Sequence, residues 1–193
     1  MKSHVTTRQG DKGQSRLLDG TQVPKYDIVM ECVGTIDELR AQIALTRQFM
    51  LTRDVAEEKV LTDFLTWLSN ACFLIGAACS DPGQRRPELH TRAIEQNHVF
   101  RLEVEQARLE AAISFEDGFI ASASNAVAAQ ADVACTVARR AERRLVQLAK
   151  KEGKFATGPL LAFVNRLSDY LYVLARYLDG DEHVPVDYGM LDQ

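Results

Sequence analysis

Apolar residues recur at helical rather than alternating spacing over most of this chain, and this periodicity is the strongest constraint on its fold. Between residues 26 and 50, for example, Cys32, Ile36, Leu39 and Ile43 return every three or four positions, which places them on one face of a helix. Only five prolines and eleven glycines interrupt the 193 residues. We therefore predict an all-α fold, a bundle of five helices near residues 26–50, 55–80, 98–113, 125–152 and 157–178.

The predicted helices form a single domain over residues 1–193, a length within the range of one domain. Residues 1–25 lack any periodic pattern and are expected to form a loop. Residues 26–179 would form the helical bundle. Residues 180–193, with four acids and one proline, are expected to form an irregular tail.

Charge and composition argue against two classes of partner. The chain carries 23 basic and 27 acidic side chains, a net charge of −4, which does not favour nucleic acid or an anionic membrane. No run of 18 apolar residues occurs, as a membrane-spanning helix would require. The four cysteines form no C-x-x-C pair and fit the core of a protein in a reducing compartment. We predict a cytoplasmic protein with no metal site built from its own side chains.

The N-terminal loop is locally basic. Residues 1–25 contain five basic and two acidic side chains, and the segment Thr7-Arg8-Gln9-Gly10-Asp11-Lys12-Gly13 places two glycines three positions apart. Such a loop can turn its backbone N–H groups toward phosphate oxygens. It lacks the G-x-x-x-x-G-K-[ST] spacing of a Walker A loop, and a plain surface turn is the alternative.

Four arginines and one glutamate occur within six residues of the fourth predicted helix. Arg139, Glu142 and Arg143 share a face at i, i+3 and i+4, whereas Arg140 and Arg144 form a neighbouring stripe. Glu142 is expected to bind the Arg139 guanidinium, leaving Arg143 for an external anion such as a polyphosphate. The alternative is a solvated charged face.

Three further features need an explanation. Gly34 interrupts the first predicted helix at a cost of about 1 kcal/mol relative to alanine, which suggests the close approach of a neighbour or ligand. Phe119 stands in a polar loop, where it either folds back onto the bundle or meets a partner. Asn165 and Asp169 share one face of the fifth helix at i, i+4.

Four segments, taken in order, resemble the PduO-type ATP:cob(I)alamin adenosyltransferases over nearly the whole chain. They are Thr7–Gly13, Val33–Leu39 (Val-Gly-Thr-Ile-Asp-Glu-Leu), Arg139–Arg143 (Arg-Arg-Ala-Glu-Arg) and Asn165–Asp169 (Asn-Arg-Leu-Ser-Asp). The resemblance implies a homotrimer of helical bundles that binds ATP and a corrinoid at subunit interfaces. It also implies that Co(I) of cobalamin attacks the 5′ carbon of ATP and releases triphosphate, with Mg2+ bound alongside the nucleotide. An adenosylcobalamin-dependent enzyme would be a possible partner.

The resemblance also implies roles for individual residues. The ATP site would comprise Thr7, Arg8, Gln9, Gly10, Lys12, Ser15, Arg16 and Lys25 of the loop, completed by Arg139, Arg140, Glu142, Arg143 and Asn165. The corrinoid would contact Phe119, Asp37 and Asp169, with Phe119 helping to displace its lower ligand. The catalytic residues would be Phe119, Asp37 and Arg139.

The chain departs from the family pattern on the corrinoid side. Ile120-Ala121-Ser122-Ala123-Ser124 stands where the family reads Ile-Leu-Pro-Gly-Gly, and Asp132 and Cys135 replace a histidine and an arginine. That arginine pairs across the subunit interface with the aspartate matching Asp37, so Asp37 must pair with Arg40, be exposed or be protonated. The alternatives to the enzyme are a non-catalytic ATP- and corrinoid-binding paralogue and a helical interaction module without a small ligand.

Overall fold

Five helices account for most of the structure, a computed structural model that describes residues 6–52, 57–114, 118–153, 158–180 and 182–192. The helices are α1 (Ile28–Leu51), α2 (Glu58–Ser80), α3 (Gln96–Glu110), α4 (Ala126–Glu152) and α5 (Pro159–Asp179). Four short strands accompany them: β1 (Gln14–Arg16), β2 (Gln22–Pro24), β3 (Ile120–Ser122) and β4 (Val184–Pro185). The predicted all-α class with five helices is confirmed.

Helices α1 and α4 pack against each other along most of their length. Asp27 begins α1, its Oδ1 accepting the N–H of Val29 at 2.9 Å, which satisfies one unpaired donor of the first turn. Asn125 begins α4 in the same way, accepting from the N–H groups of Val127 and Ala128 at 3.1 and 3.0 Å. Small α4 residues face the core and allow this close packing: Ala128, Ala131, Ala134, Ala138 and Ala141.

Helix α2 supplies the most apolar part of the core. Leu61, Leu65, Leu68 and Ile75 are 0% exposed. Trp67 lies at the seam between helices, 5.9 Å from the Phe163 ring of α5 and 6.2 Å from the His98 ring of α3. Among the described helices, α2 alone is long and apolar enough to cross a bilayer; core helices of globular bundles share that property.

Both segments expected to be irregular contain short antiparallel pairs. In the N-terminal loop, β1 pairs with β2 from Gln14 opposite Pro24 to Arg16 opposite Gln22. In the tail, β4 pairs with β3, and Tyr188–Leu191 forms a 3-10 turn. The tail therefore contains two short regular elements that the sequence did not predict. Strands of two or three residues are too short for a period-two pattern to be visible in the sequence.

The connection between α2 and α3 is organised by the carboxylate of Asp81, which is 1% exposed. It accepts the backbone N–H groups of Arg85 and Arg86, each at 2.9 Å, and lies 2.9 Å from Nε2 of His90. Burial opposes ionisation of Asp81, but these hydrogen bonds outweigh it and hold the pKa below the ordinary value of 3.8.

We predict that Asp81→Asn destabilises the protein by about 1–3 kcal/mol at pH 7, because hydrogen bonds to a buried charged acceptor are lost. Since the folded-state pKa of Asp81 lies below the unfolded value of 3.8, its contribution is present above that pH and disappears as pH falls through the folded pKa. Urea unfolding of both proteins at several pH values measures the difference. Asp63→Asn, which alters an exposed ion pair with Lys59, is the control and should change stability by less than about 0.5 kcal/mol.

Candidate functional site

The N-terminal loop and its hairpin enclose a cleft of about 210 Å³. Six of the eight loop residues predicted from the sequence line it: Thr7, Gln9, Gly10, Ser15, Arg16 and Lys25. Arg8 and Lys12 are exposed and do not line it. Gln14 and Gln22 also line the cleft, and the sequence did not single them out because only the register of β1 and β2 brings them there.

Gly10 and Lys25 are closely packed at this cleft. A Cβ atom on Gly10 would lie 3.0 Å from Nζ and 3.1 Å from Cε of Lys25, closer than side chains normally approach. The turn around them is closed by two backbone hydrogen bonds, from Gly13 N to Gly10 O at 3.1 Å and from Lys25 N to Gly13 O at 2.9 Å. The absence of a side chain at position 10 therefore keeps the Lys25 ammonium beside the cleft.

The hairpin is tied to the bundle at two places. Asp19 accepts from Arg85 of the α2–α3 connection at 3.0 Å and from the N–H of Thr21 at 2.8 Å. The Thr21 N–H is the main reason that the pKa of Asp19 lies below its ordinary value. Just after the hairpin, Asp27 pairs with Lys151 near the end of α4 at 2.9 Å. These contacts fix the cleft next to the C-terminal end of α4.

The arginines of α4 divide into two groups. Arg140 and Arg144 pair with α1, through Glu38 and, at 3.2 Å, Glu31. Arg139 and Arg143 are exposed, and within the described residues neither has a carboxylate within ion-pair distance. The cluster thus leaves two guanidinium groups available on one face of the helix.

The expected pairing of Glu142 with Arg139 is wrong. Glu142 is half-buried and its Oε1 accepts from Nδ2 of Asn165 at 3.1 Å, because Glu142 faces α5. The Oδ1 of Asn165 in turn accepts from Arg166 at 2.6 Å. The structure therefore brings Glu142 and Asn165 together, with both ends of the Asn165 amide engaged.

The cleft and the free arginines are separate within one chain. No residue of α4 lines the cleft. Lys151, which contacts Asp27 beside the hairpin, is eight residues beyond Arg143, or about 12 Å along the helix axis. The two groups of basic residues predicted for one anion do not meet in a single copy of the chain.

Asp37 lies on the exposed surface of α1, with 64% of its side chain accessible. Its Oδ1 is 3.7 Å from Nε of Arg40, and the Arg40 guanidinium lies 5.1 Å from the centre of the Phe73 ring. Two of the three alternatives considered for Asp37 are therefore both observed. The carboxylate is exposed, and it pairs with Arg40.

Phe119 is 77% exposed and does not fold back onto the bundle. It immediately precedes β3, and its carbonyl oxygen accepts the N–H of Val186 at 2.9 Å. The tail strand therefore holds the backbone that carries this ring. Asp169, the other residue predicted to contact a corrinoid, is half-buried on α5.

Asp132 and Cys135, the α4 positions at which the family resemblance has other residues, are half-buried and buried. Cys135 is 3% exposed and its Sγ donates to the carbonyl of Ser168 at 3.2 Å. Burial raises the pKa of this thiol, so Cys135 is a packing residue rather than a reactive one. Asp132 pairs with Arg176 at 2.6 Å; burial nevertheless raises its pKa, and Arg176 opposes that shift. Among the described residues, no three His, Cys, Asp or Glu side chains are placed to hold a metal ion.

Known proteins that resemble this chain are named cobalamin or corrinoid adenosyltransferases. The family model for cobalamin adenosyltransferase matches residues 5–178. The chain is 34% identical over 179 residues to the corrinoid adenosyltransferase PduO of Salmonella typhimurium, covering 93% of this chain and 51% of that protein. It is 34% identical over 177 residues to the cobalamin adenosyltransferase of Cupriavidus metallidurans, covering 92% and 89%. This chain thus spans about half the length of the Salmonella protein.

Solved structures share the fold. A variant of the PduO-type ATP:corrinoid adenosyltransferase from Lactobacillus reuteri, complexed with cobalamin and ATP, superimposes with a TM-score of 0.81 at 27% identity, covering 95% of this chain and 96% of that one. A second variant of that protein, complexed with ATP, gives 0.79 at 26% identity, covering 95% and 100%.

We predict that Gly10→Ala weakens the binding of inorganic triphosphate roughly three- to tenfold, because the new methyl group displaces the Lys25 ammonium from the cleft. Since the atoms it meets first belong to a flexible side chain, stability should change by less than about 0.5 kcal/mol. Titration calorimetry and thermal unfolding measure the two effects. Gly83→Ala, whose methyl group would meet Arg85 no closer than 3.4 Å, is the control; equal loss in both variants would contradict the role of Lys25.

Proposed function

This chain belongs to the cobalamin adenosyltransferase family, and we propose that it transfers the 5′-deoxyadenosyl group of ATP to the cobalt of cob(I)alamin, giving adenosylcobalamin and triphosphate. The observation that carries this proposal is the division of the α4 arginines. Arg140 and Arg144 are held by α1, whereas Arg139 and Arg143 remain exposed on a helix whose sequence matches the family. Relatives named as corrinoid adenosyltransferases favour the catalytic function over a non-catalytic paralogue.

The ATP site forms between copies of the chain in a homotrimer. The loop cleft of one subunit and the exposed face of α4 in the next would each supply part of the basic side chains that bind the triphosphate, since the cleft and that face are apart in one copy. Gly34 supports this assembly. A Cβ atom there would meet no heavy atom within 4 Å among the described residues, so that part of the chain gives no reason for a glycine that costs about 1 kcal/mol in a helix. A neighbouring subunit supplies one.

The chemistry needs a concentration of positive charge at the leaving group. As the electron pair of Co(I) forms the bond to the 5′ carbon, the C–O bond to the triphosphate breaks and its electrons leave with the triphosphate. Lys25, Arg16 and the loop N–H groups, with Arg139 and Arg143 of the next subunit, stabilise that charge. Thr7, Gln9, Gly10 and Ser15 shape the cleft, and Arg8 and Lys12 add to its positive field. On the α4 side of the site, Arg140 adds positive charge beside Arg139, and Glu142 and Asn165 form the α4–α5 border.

Mg2+ would enter with the nucleotide. The residues that line the cleft offer hydroxyl and amide oxygens but no carboxylate. Mg2+ commonly keeps several waters and binds substrate phosphates with few protein ligands, so this lining fits an ion held chiefly by the triphosphate. The ion would neutralise part of the triphosphate charge.

On the corrinoid side, Phe119 is the apolar group that displaces the lower ligand, and its 77% exposure leaves it free to do so. Asp37, paired with Arg40, and Asp169 provide polar contacts to the corrinoid. The protein works in the cytoplasm and delivers its product to an adenosylcobalamin-dependent enzyme, with no nucleic acid or membrane partner.

An anaerobic assay tests the proposed function. Protein, Mg-ATP and chemically reduced cobalamin are mixed, and product is followed by absorbance and chromatography. Adenosylcobalamin should accumulate in excess over protein. ATP binding without product would favour the non-catalytic paralogue. That alternative is suggested by the altered segment Ile120–Ser124. If millimolar Mg-ATP fails to raise the melting temperature, an interaction module without a small ligand would be favoured instead.

Arg139→Ala and Arg143→Ala should each weaken Mg-ATP binding by about 10- to 100-fold, the loss expected for a hydrogen bond to a charged group of roughly 1.5–3 kcal/mol. Arg144→Ala is the matched control, because Arg144 is engaged by Glu31 and Gln147, and it should change affinity by less than about twofold. Titration calorimetry measures all three. Similar affinities in the three variants would contradict the assignment of Arg139 and Arg143 to the triphosphate.

A further inference from the structure

The backbone that carries Phe119 is held at both ends by residues near the end of the chain. On one side, the N–H of Val186 donates to the carbonyl of Phe119 at 2.9 Å, and β4 pairs with β3 directly after it. On the other side, the N–H of Ser124 donates to Oδ1 of Asp179 at 2.7 Å, and the Ser124 hydroxyl donates to the same oxygen. Only four residues, Ile120–Ala123, lie between these two anchor points, so both anchors restrain the same short segment.

The buried carboxylate of Asp179 depends on Ser124 for its hydrogen bonds. The Asp179 side chain is 0% exposed, and its Oδ2 has no hydrogen-bond partner among the described residues. The two bonds from Ser124 to Oδ1 are therefore the side-chain hydrogen bonds that the structure gives this buried carboxylate. Loss of such partners inside a protein is costly.

Arg176 provides the counter-charge but not a competing hydrogen bond. Its Nη2 is 4.0 Å from Oδ2 of Asp179, beyond hydrogen-bond distance, and 2.6 Å from Oδ2 of Asp132. One guanidinium thus serves two carboxylates, and its short contact goes to Asp132. The side-chain hydrogen bonds of Asp179 therefore come from Ser124, and Arg176 contributes an ion pair without a hydrogen bond.

The Ser124 hydroxyl is not needed to begin α4. Asn125 accepts the N–H groups of both Val127 and Ala128, and its Nδ2 donates to the carbonyl of Leu178 at 2.9 Å. Asn125 therefore already accepts hydrogen bonds from the free N–H groups at the start of α4. What the Ser124 hydroxyl adds is a bond between the end of the Phe119 segment and the end of α5.

We infer that Ser124 and Asp179 form a positioning pair that fixes the segment carrying Phe119, and through it the placement of that ring against the corrinoid. The second half of this inference rests on the proposed function. The resemblance noted from the sequence places a glycine at this position. A glycine would keep the backbone bond to Asp179 but has no hydroxyl group for the second bond.

The first experiment needs no substrate. Amide hydrogen exchange over residues 118–124 is measured in the wild-type chain and in the Ser124→Ala, Ser124→Thr and Ser122→Ala variants. Ser124→Ala should exchange about tenfold faster, the loss expected for one hydrogen bond to a charged acceptor. Ser124→Thr keeps the hydroxyl and should resemble wild type. Ser122 is exposed and makes no side-chain hydrogen bond in the described structure, so Ser122→Ala is the matched control. Equal exchange in Ser124→Ala and Ser122→Ala would overturn the inference.

The second experiment separates the corrinoid step from ATP binding. In Ser124→Ala, kcat/KM for reduced cobalamin should fall about tenfold while the Kd for Mg-ATP stays within about twofold of wild type, and Ser124→Thr should restore turnover. Equal losses of ATP affinity and corrinoid turnover, or none, would overturn the positioning role. If the wild-type chain forms no adenosylcobalamin, the proposed function fails, and the exchange experiment still decides whether the pair holds the segment.

Discussion

The antiparallel packing of α1 against α4 is the interaction on which the rest of the site depends. Three ion pairs follow this seam in register: Glu38 with Arg140, Glu31 with Arg144 and Asp27 with Lys151. Each is partly exposed and contributes little stability by itself. The buried alanines of α4 set its rotation against the bundle. That rotation places Arg140 and Arg144 beside α1 and leaves Arg139 and Arg143 exposed.

A second consequence of this rotation is that Glu142 faces α5. There it binds Asn165, whose amide is also held by Arg166, so α5 is coupled to the arginine helix through side chains with fixed orientation. The cleft of the N-terminal loop lies next to the C-terminal end of α4. The ion pair between Asp27 and Lys151 connects the two. The two groups of basic residues proposed to hold the polyanion are therefore apart within one chain. This geometry is the physical basis for proposing that subunits complete each other's sites.

The helices could be predicted from the sequence because their apolar period extends over 15 or more residues, and Asn125 and Gly153 mark the ends of α4 by ordinary capping chemistry. The strands could not be predicted, since two or three residues carry no period. Gln14 and Gln22 reach the cleft only through that unseen hairpin. The partner of Glu142 was predicted wrongly because helical spacing shows which residues share a face, but not which neighbouring helix that face meets.

At the positions proposed to face the corrinoid, several of the residues that depart from the family resemblance have contacts of their own within the chain. Cys135 fills its position as a small, protonated core residue bonded to the Ser168 carbonyl. Within one chain, Asp37 lies at the surface beside Arg40, so it has a cationic neighbour that does not depend on the residue at position 135. Asp132 pairs with Arg176, and Ser124 with Asp179. Since Ser124, Asp132 and Cys135 each have a contact within the chain, their departures from the family resemblance do not by themselves indicate that catalysis is lost.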